Sequence, residues 1–162
     1  MQPLTKKALP AIAGACLLAG TLDICSAFAL YYYKTGKNPL LICNYIASAV
    51  FGKEQAYNGG TGMVIIGLLF HYFIASCFTV FLFVLYPKII ALLKNRVLVA
   101  IVYGLFVWTI MNLLVVPLTR IPPFHIKLES AIENIIILMY AIGLPGSLIA
   151  YRYYFGSNKA QQ

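Results

Sequence analysis

The sequence predicts an all-α integral membrane protein, a four-helix bundle with one additional interfacial or re-entrant amphipathic helix between the first and second spans. Apolar residues make up 62% of the 162-residue chain and charged residues only 10%, whereas soluble domains carry roughly a quarter charged residues. The apolar residues form four long segments, each meeting the roughly 20 residues that a helix needs to cross a bilayer. Each segment also contains a strongly polar side chain, which is typical of helices that face one another inside a bundle. The predicted spans of this single membrane domain are residues 8–33, 61–86, 97–118 and 130–151.

The first span carries its acid, Asp23, on a face of small residues. Helical spacing places Cys16, Ala19, Gly20 and Ala27 on the same face. Small residues let membrane helices approach closely, and an unpaired carboxylate at the bilayer centre costs on the order of 3 kcal/mol. We therefore expect Asp23 to face a neighbouring helix.

The connection between the first two spans contains a short helix signal over residues 39–51. Asn38 is a suitable helix cap, and Gly52 is a suitable stop. About thirteen residues are too few to span a membrane, so the segment is expected to be interfacial or re-entrant. It either lies on the outer leaflet as an anchor or covers a cavity as a lid.

A glycine-rich stretch, residues 58–62, precedes the second span and predicts a flexible, non-helical turn. Within the second span, Gly67, His71 and Ala75 repeat the small-residue pattern of the first span at helical spacing. His71 is therefore the simplest partner for Asp23.

The third span contributes Asn112, whose amide can both donate and accept hydrogen bonds across the bundle. Asn112 either joins helices or belongs to a buried polar site with Asp23 and His71. In the fourth span, the run from Gly143 to Gly146 includes Pro145 and predicts a break in the helix.

The start of the fourth helix presents His125, Glu129 and Glu133 at successive steps of four, so the three share one face. A histidine and two carboxylates in this pattern could hold a divalent cation or relay protons at the outer mouth of the bundle. Alternatively, the acids only stabilise a helix N-terminus, with Arg120 or Lys127 as ion-pair partner.

The net charge of +8 comes from basic residues clustered at the ends of the spans. This distribution is typical of membrane topology, so no nucleic-acid partner is expected. With four spans both termini lie on one side, which collects seven of the twelve basic residues. Under the positive-inside rule, seven against five predicts that both termini are cytoplasmic.

No enzymatic signature is present. The chain lacks a G-x-S-x-G nucleophile motif, the H-E-x-x-H zinc motif and any phosphate-binding glycine loop. The four cysteines have no C-x-x-C spacing and are interpreted as packing residues. The chain is therefore not expected to be an enzyme or to use a cofactor.

Four stretches resemble a family of small uncharacterised four-span bacterial inner-membrane proteins of the YagU-like kind. They are residues 19–24, 46–52, 67–71 and 103–118. The resemblance implies the inner (cytoplasmic) membrane of a bacterium and four helices, and it supplies no activity. Asp23, His71 and Asn112 lie within these stretches, whereas Glu129 and Glu133 do not.

Three functions are compatible with these features. The favoured one is a small permease or an ion- or proton-coupled carrier, with Asp23 and His71 as a protonatable pair. The alternatives are an accessory or structural subunit of a membrane complex, and a lipid-binding or lipid-modifying protein that uses the short helix and the His125 face. The expected partners are membrane lipid and either further copies of the chain or a larger membrane complex.

Overall fold

The computed structural model describes residues 8–122 and 127–156. Within these ranges all regular structure is helical, which confirms the predicted all-α four-helix bundle. The helices are α1 (Ala8–Thr35), α2 (Leu41–Phe51), α3 (Lys53–Asn58), α4 (Gly60–Leu93), α5 (Arg96–Ile110), α6 (Leu128–Leu138) and α7 (Leu144–Phe155). A π-helical turn (Met111–Val115) and a 3-10 turn (Val116–Leu118) extend α5, and a second π-helical turn (Met139–Gly143) joins α6 to α7.

Consecutive helices and turns join into four continuous helical segments, called rods here, that are long and apolar enough to cross a membrane. They are Leu9–Thr35, Gly60–Leu93, Arg96–Leu118 and Leu128–Phe155. Large apolar side chains on their outer faces are open to the surroundings. Leu69, Phe73 and Leu113, for example, are 63%, 68% and 62% exposed. Such an apolar exterior suits lipid and not water, so the chain has the structure of a multi-pass membrane protein.

In the bundle, α1 and α5 each contact both α4 and the α6–α7 rod, and α4 also contacts α7 directly through the Tyr86–Ser147 and Tyr154–Phe83 hydrogen bonds. We call the side that holds the start of α1, the turn at Lys94 and Asn95, and the end of α7 the terminal side. The opposite side, which holds α2 and α3, is the loop side. This arrangement leaves the interior between the four rods available for a site.

Aromatic and aliphatic side chains fill the half of the interior near the terminal side. The largest fully buried ones are Leu82, Phe83 and Tyr86 of α4. The buried tyrosine hydroxyls of this half have hydrogen-bond partners within the bundle. The Tyr86 hydroxyl lies 3.2 Å from Ser147 Oγ, and the Tyr103 hydroxyl of α5 donates to the Phe78 carbonyl. This dense packing fills the interior of the bundle near the terminal side and leaves space in the half nearer the loop side.

The fourth rod contains a π-helical turn, Met139–Gly143, shortly before Pro145. Proline removes one helical hydrogen bond, and a wider turn accommodates the missing donor. The same turn packs against the backbone of α5, because a Cβ on Gly104 would come within 2.6 Å of the Met139 Cα and one on Gly143 would overlap the Ala100 carbonyl.

One local prediction on the second rod was wrong. The stretch 58–62 is not a flexible turn, because only Gly59 separates α3 from α4 and Gly60 already begins the long helix. Packing of α3 and α2 against α4 outweighs the helix cost of glycine, about 1 kcal/mol per residue. At its other end, α4 continues through Pro87 to Leu93, beyond the predicted span end at residue 86.

Candidate functional site

A cavity of about 280 Å³ lies among α1, α2, α4, α5 and α6. Its polar lining comes from Asp23, His71, Asn112 and Asn134, which belong to four different helical rods. The remaining lining is mostly aliphatic, with Tyr45, Phe78 and Trp108 as aromatic members. We call this space the central cavity. It brings together all three residues that the sequence predicts for a buried polar site.

Asp23 and His71 face each other across the contact between α1 and α4. The Nε2 atom of His71 donates a hydrogen bond to the Gly20 carbonyl at 2.9 Å and lies 4.0 Å from the Asp23 Oδ2 atom. At 4.0 Å the carboxylate is close enough for electrostatic interaction but too far for a hydrogen bond. Among the residues that the structure describes, Asp23 makes no direct hydrogen bond.

Both side chains keep a small exposed fraction, 10% for His71 and 19% for Asp23. Since both residues line the central cavity, that fraction is available to a molecule or ion inside it. A second link fixes the same helix pair, because the hydroxyl oxygens of Thr21 and Tyr72 lie 2.9 Å apart. The packing of α1 on α4 therefore positions the pair.

Asn112 lies within the π-helical turn that extends α5. Its Nδ2 atom donates to the Trp108 carbonyl of its own rod at 3.0 Å, and this leaves the carboxamide oxygen to accept from a ligand. No hydrogen bond from Asn112 to another helix occurs in the described part of the chain. The turns Met111–Val115 and Met139–Gly143 both contribute residues to the cavity wall, and π-helical turns are frequent at functional sites.

The short helix α2 forms the cavity wall nearest the loop side. Ile42, Tyr45 and Ile46 line the cavity, while Cys43 and Ala47 are buried. The structure agrees with the second alternative, a cover over the cavity, in that α2 lines it, and the position of α2 relative to a leaflet stays a prediction.

Two hydrogen bonds hold α2 in this place. Asn44 Nδ2 donates to the Ala56 carbonyl at 2.7 Å, which joins α2 to α3. The backbone N–H of Arg120 donates to the Ala49 carbonyl at 3.0 Å, which joins α2 to the segment after α5. The cover is therefore attached at both of its flanks.

The cavity lies deep in the bundle. Asp23 precedes the end of α1 by twelve residues and His71 follows the start of α4 by eleven, so each lies roughly 16–18 Å along its helix from that side. Among the described residues that line the cavity, only Tyr45 and Asn134 are exposed, and both belong to helices that begin on the loop side.

The predicted acidic face of the fourth rod is engaged with α1. Lys34 Nζ lies 2.5 Å from Glu133 Oε2 and 3.4 Å from Glu129 Oε1. The structure thus pairs these acids with Lys34, and not with the Arg120 or Lys127 expected from sequence proximity. Glu129 is 78% exposed, and pairs this open to solvent contribute about 0–1 kcal/mol.

His125 lies outside the described residues, so the ion site predicted for His125, Glu129 and Glu133 stays a prediction. Within residues 8–122 and 127–156, no group of three or more His, Cys, Asp or Glu side chains is arranged to hold a metal ion. The lipid-related alternative that uses the His125 face likewise stays a prediction.

Sequence reasoning missed Asn134, Tyr45 and Lys34. Asn134 directly precedes the apolar run of residues 135–139, and a carboxamide within a predicted span is a usable signal for an inward polar group. The position of Lys34 had no comparable signal, because its contacts lie 95 and 99 residues away along the chain.

No family model matches the chain, and no curated protein or solved structure matches it either. The fold and the central cavity therefore define its class by themselves: a small four-span membrane protein with polar side chains from four helical rods around one internal cavity. The resemblance to the YagU-like proteins remains an expectation from the sequence.

Proposed function

We propose that this protein is a small permease or an ion- or proton-coupled carrier whose binding site is the central cavity. The supporting observation is the convergence of Asp23, His71, Asn112 and Asn134 on that cavity from four separate rods. Polar groups inside a membrane bundle are costly and typically mark ion, proton or substrate pathways.

Asp23 and His71 supply the chemistry of such a site. Because the Nε2 atom of His71 donates to Gly20, the neutral imidazole has its lone pair on Nδ1 and can accept a proton there. With neutral His71 and ionised Asp23, the pair carries one negative charge. Either a bound proton or a monovalent cation neutralises it, so the two compete for the same site, and this competition would couple their movements.

The size of the cavity limits the ligand. A volume of about 280 Å³ falls just below the roughly 300–1,000 Å³ of sites that bind drug-sized molecules. The site therefore suits a partly hydrated ion or a small organic cation. The aromatic rings of Phe78 and Trp108 in its wall add a surface that attracts cations.

Flux through the purified protein tests this proposal. The protein is reconstituted into liposomes with a pH-sensitive dye inside, and proton movement is recorded after small monovalent cations are added outside. Asp23→Asn removes the only carboxylate among the described residues that line the cavity and is expected to lower cation-driven proton flux at least about tenfold. The matched control is Glu129→Gln, which neutralises an exposed carboxylate away from the cavity and should leave the flux unchanged.

Thermal unfolding of both variants shows whether each is folded. A folded Asp23→Asn protein that carries the same flux as the wild type would contradict the carrier proposal, as would a wild-type protein with no flux for any cation tested.

The contact between α1 and α4 also favours a second candidate, an accessory subunit whose polar groups only fix helix packing. Its supporting observation is the hydrogen bond from His71 to the Gly20 carbonyl, which joins the two helices directly. Under this alternative, His71→Gln lowers the unfolding temperature, Asp23→Asn has no effect on flux, and the native protein copurifies with other chains.

We further propose a location in the inner membrane of a bacterium, with both termini in the cytoplasm. The location is supported by the four apolar rods and by the sequence resemblance. The orientation is supported by the seven basic residues on the terminal side against five on the loop side.

A further inference from the structure

A second, open cavity of about 720 Å³ lies on the terminal side, between the end of α4, the turn to α5 and the end of α7. Lys94, Asn95 and Arg96 line it together with Tyr151 and Phe155. We call it the basic cavity. It is far from the central cavity, and the carrier proposal does not use it.

The cations of the basic cavity have no acidic partner. Neither Lys94 nor Arg96 forms an ion pair within the described ranges. The Arg96 guanidinium carbon lies 4.5 Å from the centre of the Tyr151 ring, a cation–π contact that orients the group. Such a contact uses the face of the guanidinium and leaves its in-plane N–H groups for an anion.

The whole terminal side is basic. In the described residues it carries Lys88, Lys94, Arg96 and Arg152 and no acid. The four acids of the chain lie elsewhere: Asp23 is in the central cavity, and Glu54, Glu129 and Glu133 are on the loop side. The electrostatic potential at the basic cavity is therefore positive and is not offset locally.

The basic cavity also lies at the depth of lipid headgroups. Residues 60–87 of α4 contain no Lys, Arg, Asp or Glu, and Lys88 is the first charged residue after them. A helix of 34 residues extends about 51 Å, well beyond a hydrocarbon core of about 30 Å. The turns from Lys88 onward are therefore expected to project into the headgroup layer, and Phe155, which lines the cavity, is 44% exposed.

We propose that the basic cavity binds the phosphate group of an anionic phospholipid from the leaflet on the terminal side. Lys94 and Arg96 bind the phosphate, and the acyl chains lie against the apolar lining that includes Pro87, Ala91 and Phe155. Positive charge alone would also accept free phosphate. The adjoining exposed apolar surface favours a ligand with both a phosphate and hydrocarbon chains.

Binding of short-chain lipids to the detergent-purified protein tests this assignment. Dihexanoyl phosphatidylglycerol, dihexanoyl phosphatidylcholine and inorganic phosphate are titrated separately, with the shift in unfolding temperature as the readout and native mass spectrometry as a count of bound lipid. The wild-type protein is expected to bind the phosphatidylglycerol at least about tenfold more tightly than the phosphatidylcholine, and inorganic phosphate is expected to give little protection.

Two variants locate the effect. Lys94→Gln leaves the Arg96–Tyr151 contact intact and should weaken phosphatidylglycerol binding about fivefold. The double variant, Lys94→Gln with Arg96→Gln, should weaken it about 25-fold. The matched control, Lys37→Gln with Lys53→Gln, removes the same charge from exposed positions on the loop side and should leave binding unchanged.

Three results would overturn the proposal. Equal affinity for the two lipids would show that the headgroup charge is not recognised. A control as weak as the double variant would show that only the overall charge matters. Equal protection by inorganic phosphate at matched concentration would show that the ligand is not a lipid.

Discussion

Gly67 determines how closely the short helix α2 approaches the long helix α4. A Cβ atom at this position would overlap the carbonyl group of Cys43 in α2. That neighbour is backbone and cannot rotate away as a side chain can. The absence of a side chain at one residue therefore allows α2 to reach the central cavity and to form its wall.

We expect Gly67→Ala to destabilise the protein by about 1–3 kcal/mol, because the added methyl group forces the α2 backbone away from α4. Gly62→Ala is the control, since a Cβ there meets nothing within 4 Å and the substitution favours the helix by roughly 0.5–1 kcal/mol. Denaturant unfolding in detergent measures both. If the two variants are equally stable, α2 does not pack on α4 as described.

At the scale of single residues, sequence and structure agree where one residue type is conspicuous in its surroundings. Asp23, His71 and Asn112 interrupt apolar runs, and helical spacing places the first two beside small residues, so their inward orientation could be predicted. The pairing of Lys34 with Glu133 could not, because it depends on how two rods distant in sequence lie side by side.

At the scale of elements, the position of α2 does not follow from its own sequence. An amphipathic helix of this length has the same apolar period whether its apolar face meets lipid or protein. Its contact with α4 depends on Gly67, which belongs to another helix and gives no signal within α2 itself. The four long rods were predictable, because length and composition alone determine a span.

The buried position of α2 predicts slow chemistry at Cys43. This thiol is 1% exposed, and burial raises its pKa above the usual value. Thiolate is the reactive form, so both effects slow labelling. Two single-cysteine proteins are compared: one keeps Cys43 and has the other three cysteines replaced by alanine, and the second has all four replaced and carries Val50→Cys. A membrane-impermeant maleimide at pH 7.5 should label Cys43 at least about tenfold more slowly than the thiol at position 50.

Val50 is a suitable reference because it lies on the same helix and is 50% exposed. As the pH is raised toward 9, the labelling rate at position 50 should rise at a lower pH than the labelling rate of Cys43, because the Cys43 thiol loses its proton at higher pH. Equally rapid labelling of the two positions would show that α2 leaves its place readily.

At the scale of the whole molecule, charge distinguishes the two ends of the bundle. Among residues 8–122 and 127–156, the terminal side carries four basic residues and no acid, while the loop side combines five basic residues with three acids. The expected orientation therefore places the strongly positive end in the cytoplasm, where the leaflet is rich in anionic lipid.

Reporter fusions test this orientation. A fluorescent protein that matures only in the cytoplasm, fused after Gln162, should be bright, and alkaline phosphatase at the same position should be inactive. The same two reporters inserted between Gly36 and Lys37 in the loop should give the opposite pattern. An active phosphatase at the C-terminus would reverse the orientation and would also place the basic cavity on the outer leaflet.

The turn between α4 and α5 limits how the bundle can move. It has two residues, Lys94 and Asn95, and the Asn95 Oδ1 atom accepts from the backbone N–H groups of Val97 at 2.8 Å and Leu98 at 3.3 Å. So short a connection keeps the last turn of α4 and the first turn of α5 side by side. Any rearrangement that widens the central cavity must therefore leave these two rods joined at the terminal side, so α4 and α5 can separate only toward the loop side, where His71 and Asn112 lie.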